Sequence, residues 1–517
     1  MFQAVGRKGA VMSDGLQRGQ IDVSKKELKK LRKKLRERKK AQGLEPKATA
    51  TLPNRTSDYE SVTEEKQARL EAITEQVKIL RGKLPILLRR LRAIPDPRNP
   101  KKIKHRLTCV MIYGILCFVL QMSSRREANR ELTRPMFKEN LRLLFPELED
   151  LPHQDTLMRL LDRLEVDQIE AIQIELVQQL MRKKKFQRYL IDGCYPIAFD
   201  GTQKMVRNGV WSEECLERKV GAGEEKKKQY YVYIVELNLV LGNGMVIPLM
   251  SEFLEYDKGD TAEKKQDSEP RGYHRLAQRL KQAFPRTRFL VLLDGLYPNG
   301  PVMESCRKYH WQFMIVLQDG NLPQVWEEYR GLKKLLEPQD RLENIWGERT
   351  QKFHWVNDIE YTYGPTGRKR QIVHMVVCEE SWEVVDEQTV QIVTKNSRHV
   401  WLSSEPFDCC NVVQRCNQGG RHRWGIESGI LVEKRCGYQY EHCFSYSWKA
   451  MKGYHYLMRI AHLLNVLVLN AAQLSKIVST LGAQGFIRFI RHTLSAPWLD
   501  AEQVLQRLDK PTNLRFV

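Results

Sequence analysis

The 517-residue sequence predicts an α/β protein in which a mixed sheet follows an all-helical N-terminal region and carries a β-rich insertion. Three observations support this. Helical periodicity runs from residue 61 to about 186. Near residue 189 it gives way to short apolar runs alternating with amphipathic ones, and residues 321–415 are dominated by strand patterns. The chain is also too long for one compact core, so two to four domains are expected.

Totals set the class. Hydrophobic residues make up 42% and charged residues 29%, the balance of a soluble protein. Lys and Arg number 85 against 63 acids, a net charge of +22, which favours a polyanionic partner such as nucleic acid. The longest apolar run, 107–122, contains Thr108, Tyr113 and Gly114 and falls short of the about 20 residues that cross a bilayer. It reads as a buried helix, and no membrane partner is expected. The first thirty residues lack an apolar signal region, so a cytoplasmic protein with reduced thiols is expected. Cys409, Cys410, Cys416, His422, Cys436, His442 and Cys443 cluster in sequence, yet contain no CxxC pair. They read as buried or idle thiols rather than a zinc site.

Residues 1–60 form a basic arm and linker. The first 41 residues hold 14 Lys or Arg and 4 acids, with Leu28, Leu31 and Leu35 at helical spacing inside the basic run. A solvated tail and an arm that orders on DNA are equally compatible with this pattern. Pro46, Pro53 and Asn54 mark the linker. Residues 61–186 form a helical, DNA-binding or associated domain. Ser61 to Glu64 reads as a capping box, Leu70, Ile73, Val77 and Leu80 share one face, and Pro85 interrupts the helix. Pro95, Pro97 and Pro100 forbid helix in a basic connector, and helices follow at 156–164 and 166–181. Helix-turn-helix character is one reading of this domain.

Residues 187–320 begin the α/β domain. An apolar strand at 195–199 stops at Asp200-Gly201-Thr202, and 230–241 and 245–254 form a hairpin about Gly242-Asn243-Gly244. A helix at 273–284, a buried strand at 288–293 ending at Asp294, a helix at 301–309 and a strand at 311–318 follow. That order is the one found in sheets of the ribonuclease-H type. Residues 321–415 are the insertion, with strands clearest at 371–378, 389–394 and 399–403. Residues 416–475 complete the domain with helices at 420–440 and 451–474, and 476–517 form a helical tail.

Asp200 and Asp294 each end an apolar strand, where side chains project into a ligand crevice of an open sheet. Singly each is also an ordinary turn residue. Arg423, Glu427 and Lys434 are spaced by four and seven, which places them on one helical face: a carboxylate flanked by two cations. Asp192 and Asp319 are rivals, the first preceding its apolar run and the second sitting in a plain Asp-Gly turn.

The segment Arg423-Trp424-Gly425-Ile426-Glu427, followed by Lys434, resembles the Tyr-x2-Arg-x3-Glu-x6-Lys signature of a branch of DDE-type bacterial insertion-sequence transposases. Gly420 stands at the Tyr position. Asp200-Gly201-Thr202 and Asp294-Gly295-Leu296-Tyr297 resemble that family's first and second acid motifs, and residues 94–98 and 153–164 its N-terminal associated domain. The resemblance implies a ribonuclease-H-like catalytic domain with Asp200, Asp294 and Glu427 as catalytic, metal-holding acids. Arg423 and Lys434 become DNA-binding supports, and the cofactor is two Mg²⁺ or Mn²⁺ ions. It further implies double-stranded DNA partners (transposon ends and target), a homodimer in the DNA complex, and association with the bacterial nucleoid. Gly420 cannot make the phosphate contact of the signature Tyr, which leaves Tyr438 and Tyr440 as substitutes against a packing role. Trp346, Trp355, Trp382 and Trp401 lie in the insertion, with none singled out. Two other readings stay open: an inactive DNA-binding descendant, and a nuclease of the same fold that cuts without joining.

Overall fold

The computed structural model describes residues 17–44, 52, 56–57, 59–148, 150–221, 227–256, 267–510 and 513–517, with side chains in the first helix from Lys25 onward. Pro46, Pro53 and Asn54 of the expected linker lie outside these, as do residues 1–16 of the arm.

Helices from Val62–Arg81 to Asp167–Arg182 make up the N-terminal region. The Ser61 hydroxyl accepts the Glu64 N–H at 3.1 Å, while the Glu64 carboxylate accepts from Glu60 N–H at 2.8 Å, so the capping box is closed one residue upstream. Leu70, Ile73, Val77 and Leu80 are all buried. That helix ends at Arg81, and Pro85 sits in the first turn of the next, Leu84–Ala93, where a missing N–H is harmless. The apolar run at 107–122 becomes the helix Leu107–Val119, buried on nearly every side because the helix Trp448–Leu469 packs along it. Among the described residues no helix is long and apolar enough to cross a membrane.

Ten strands form one sheet: β1 (Tyr195–Arg207), β2 (Leu216–Val220), β3 (Lys227–Val240), β4 (Val246–Leu254), β5 (Phe289–Leu293), β6 (Gln312–Val316), β7 (Arg341–Trp346), β8 (Arg349–Tyr363), β9 (Lys369–Asp386) and β10 (Gln391–Ser403). β3 is antiparallel to β1 and β4 to β3, whereas β5 is parallel to β1 and β6 to β5. The order β4-β3-β1-β5-β6 is that of ribonuclease-H-like sheets. Helices Glu269–Ala283 and Gly300–Lys308 connect the parallel strands.

β1 does not stop at Asp200. It continues to Arg207 because β3 pairs with it from Ile197 to Arg207, and this ladder overrides the turn preference of Asp-Gly. What does end there is the parallel ladder, whose last pair is Ala198 with Leu292. The insertion opens with a helix, Pro323–Leu332, before its strands. The runs at 389–394 and 399–403 are one strand, β10, and its Trp401-to-Ser403 end pairs with β6. Insertion and core thus share a single sheet.

The basic run is helical, Gln17–Ala41, and lies against β9 and β10. The C-terminal helices Ser475–Leu494 and Ala501–Leu508 fold back on Val62–Arg81, with Arg69 stacked 4.3 Å from the Phe489 ring and 4.7 Å from that of Trp498. The last segment is therefore packed rather than a trailing tail.

Candidate active site

Strand parity brings the acids together. Ala198 on β1 and Leu290 and Leu292 on β5 share an apolar cluster with Ile426 and Ile430 of the helix Trp424–Arg435, while Ile197, Phe199 and Val291 enter the larger core on the other side of the sheet. Side chains alternate along a strand, so Asp200 continues the Ala198 face and Asp294 the Leu292 face. The helix covering that face carries Glu427 beside Ile426. Three acids from three elements accordingly address one region.

Electrostatics report the same proximity. Burial pushes the Asp200 carboxyl up to about 7, with the charges of Glu269, Glu427 and Asp294 adding and Arg423 opposing. Among the described residues no side chain donates a hydrogen bond to Asp200. Asp294 accepts the Leu296 N–H at 2.8 Å, which sets the turn after β5. Glu427, 45% exposed, takes a 2.5 Å ion pair from Arg423, which is buried. Lys434 donates to the Gln203 carbonyl of β1 at 3.0 Å and pairs with Glu441 at 3.0 Å.

The helix expected at 420–440 is shorter. A π-turn, Arg415–Gly419, and a 3-10 turn, Gly420–Arg423, precede Trp424–Arg435, so Arg423 caps the helix rather than lying inside it. The four-residue spacing to Glu427 still makes the pair. Tyr438 and Tyr440 lie beyond the helix and are buried. Tyr438 accepts from Asn465 at 3.0 Å and Tyr440 donates to Glu236 at 2.8 Å, so both are packing residues. A Cβ at Gly420 would meet the Trp401 indole nitrogen at 2.6 Å. The indole fills the space a signature Tyr would enter.

The rivals are accounted for by cations. Asp192 pairs with the buried Arg415, and Asp319, 79% exposed, with Arg398. Of the insertion tryptophans, Trp355 is core and Trp382 lies under the Arg349 guanidinium at 4.1 Å. Trp346 and Trp401 line an open cleft of about 770 Å³ that reaches Asp294 and is walled by Arg349, Arg398, Arg421 and Arg423. Glu380 organises that wall. Burial would raise its carboxyl, but hydrogen bonds from Gln351 (2.6 Å) and Arg349 (2.8 Å) and the charge of Arg421 hold it below its ordinary value.

Two features escaped sequence reasoning. Glu269 opens the helix Glu269–Ala283, accepts hydrogen bonds from Tyr233 (2.8 Å) and Tyr297 (2.7 Å), and lies against Gly201, where a Cβ would come within 2.0 Å of its carboxylate. Beneath the acids, Arg459 joins Glu433 (3.1 Å), six residues after Glu427, to Glu236 (3.2 Å) and Asn238 (2.7 Å) on β3, all four buried. Glu236 is the register partner of Asp200. A Pro-preceding Glu and a mid-helix Arg carry no distinctive spacing, so no signal marked them.

The residues available for a cation are hard carboxylates. Among the described residues, no group of three or more His, Cys, Asp or Glu side chains that could hold a metal ion is found. The chemistry of the donor set suits Mg²⁺ or Mn²⁺, and Asp200, crowded by the charges of Glu269, Glu427 and Asp294, is the side chain whose charge a cation would offset most.

An α/β sheet of ribonuclease-H order, with acids gathered on one face, defines the class. Residues 88–177 match the family model described as DDE_Tnp_1-associated. No curated protein matches the chain. A solved structure, the cryo-EM structure of piggyBac transposase synaptic complex with hairpin DNA, aligns with 87% of this chain and 82% of that one at 13% identity, with a TM-score of 0.32. At that level the similarity bears no weight on function.

Proposed function

We propose that the chain is a DNA transposase that cleaves at transposon ends and joins them to target DNA, with Asp200, Asp294 and Glu427 as its catalytic acids. The observation carrying this reading is that the three acids, widely separated in sequence, address one face of a ribonuclease-H-like sheet, with Arg423 among them. The family model over residues 88–177 supports it, since its description ties that region to DDE transposases. Asp200, Asp294 and Glu427 would hold two divalent ions, which supply activation of an attacking oxygen and charge stabilisation of a leaving one. The chain's own contribution is positioning. Glu427 is held in place by Arg423, the helix carrying it is tied to β1 through Lys434, and the arginine wall of the cleft meets phosphates. The partner is double-stranded DNA, held by a homodimer that pairs two ends.

Asp200→Ala, Asp294→Ala and Glu427→Ala should each abolish metal-dependent cleavage of an end-bearing duplex while leaving duplex binding intact. Wild-type cleavage by any one removes that residue from the set. The reading as an inactive DNA-binding descendant is favoured only by Gly420. Nicking of a supercoiled plasmid carrying the element's ends by the wild-type chain excludes it. Joined product from pre-cleaved ends excludes a nuclease that cuts without joining.

A further inference from the structure

The helix Gln17–Ala41 has two faces. Leu28, Leu31, Leu35 and Lys39 lie on one, and Leu35 and Lys39 are buried where the helix meets β9 and β10. Arg32, Arg38 and Lys39 pair there with Glu387, Glu383 and Glu348, and Lys39 also donates to the Glu383 carbonyl at 2.9 Å. At about 100° per residue, Lys26, Lys29, Lys30, Lys33, Arg36 and Lys40 fall on the opposite face. All six are exposed. Among the described residues only Lys33 of these has an acid in reach, Glu37 on the same helix at 3.8 Å.

A solvated tail needs neither a leucine stripe nor glutamate partners. Exposed ion pairs contribute little singly, so the anchor is the buried Leu35 and Lys39, with the pairs setting direction. Glu348 lies in the turn between Trp346 and Arg349, two residues that line the cleft beside Asp294. Glu383 follows Trp382, which stacks under Arg349. The end of the basic helix therefore abuts the arginine wall.

We infer that this helix is a duplex-backbone arm fixed to the insertion. It continues the arginine wall outward, so that DNA engaged at the acids lies along the Lys26–Lys40 face. The inference rests on the DNA-cleaving reading and adds a path to it. The 15 residues from Lys26 to Lys40 span about 21 Å, the length of about six base pairs. An acidic protein surface would match the charge, but not the continuity with the cleft.

The test uses the full chain with all six outer-face cations changed to Gln, the glutamate-facing residues being kept. Binding to a 40-base-pair duplex is measured across a salt series. Each lost phosphate contact lowers the slope of log K against log salt by about 0.9, so losing three or more flattens it by at least about 2.7. An unchanged slope overturns the inference. A second measurement fixes the path: an iron chelate tethered at Arg36→Cys, with Cys409 and Cys410 changed to Ser. Strand cuts clustered within about one helical turn of DNA support a fixed arm. Cuts scattered along the duplex, or none, overturn it. Failure of the wild-type chain to bind duplex at all would instead remove the DNA-cleaving reading.

Discussion

Replacing Arg459 by Met probes how the third acid is held at its distance from the first. The Arg459 side chain is 1% exposed and lies between Glu236 and Glu433, each 0% exposed, at 3.2 and 3.1 Å. Met keeps most of the volume and removes the charge. Breaking a buried pair by taking away one partner costs about 3–5 kcal/mol, because an uncompensated charge is left behind. Two carboxylates are orphaned here, but His455 stays 3.3 Å from Glu236 and His462 stays 2.6 Å from Glu433. The expected loss is therefore about 3–5 kcal/mol in total rather than twice that. Urea unfolding measures it. Adding Glu236→Gln and Glu433→Gln removes the orphaned charges and should restore most of the loss. A loss below about 1 kcal/mol for Arg459→Met, or no recovery in the triple variant, would refute the idea that this cation holds helix Trp424–Arg435 to β3.

The Gly201–Glu269 contact predicts overpacking: Gly201→Ala should cost about 1–3 kcal/mol alone and measurably less when Glu269→Ala has removed the carboxylate, with Tyr233 Cε1, 2.6 Å from the added Cβ, still to be displaced. Equal losses in the two backgrounds would show that Glu269 does not press on Gly201. His354 predicts a pH dependence. Burial, reinforced by the charge of Lys333, pushes its pKa down to about 4. Its contribution to stability is thus complete above the unfolded value near 6.5 and is lost as pH falls from there through 4. The full shift would be worth about 3 kcal/mol, and the ring's partial exposure reduces that to about 1–2 kcal/mol. In His354→Gln the fall in stability between pH 6.5 and 4 should shrink by that amount, and an unchanged profile would contradict it.

The order of β1, β3, β4, β5 and β6 was legible because each contains an apolar run bounded by turn residues, whereas the mostly exposed β2 and β7 carry no such run. Asp200 shows where local reading stops. Asp-Gly-Thr carries a turn preference, but the strand runs on because β3 supplies partners from far along the chain. Helical spacing places only Arg423, Glu427 and Lys434 on a common face, and the grouping of Glu427 with Asp200 and Asp294 is implied by the family resemblance alone. The cause of the gathering, the Ala198–Leu292–Ile426 packing, is tertiary and leaves no local trace. The same holds for Glu269, whose neighbours come from β1, β3 and the turn after β5. The composition of the basic run is compatible with an arm and with a solvated tail alike. Its docking depends on glutamates some 310 to 355 residues away, which no window of the sequence joins.

The close fit of Trp401 over Gly420 constrains the order in which these positions can change over generations. A Tyr at position 420 would drive its Cβ into the indole. Making room first means shrinking Trp401, which is 3% exposed, pairs with Val316 on β6 and stacks on His399. Emptying a site of that size costs about 3–5 kcal/mol. A bulkier residue at position 420 is therefore accommodated only together with a smaller one at 401, so the effects of changes at the two positions are coupled rather than additive.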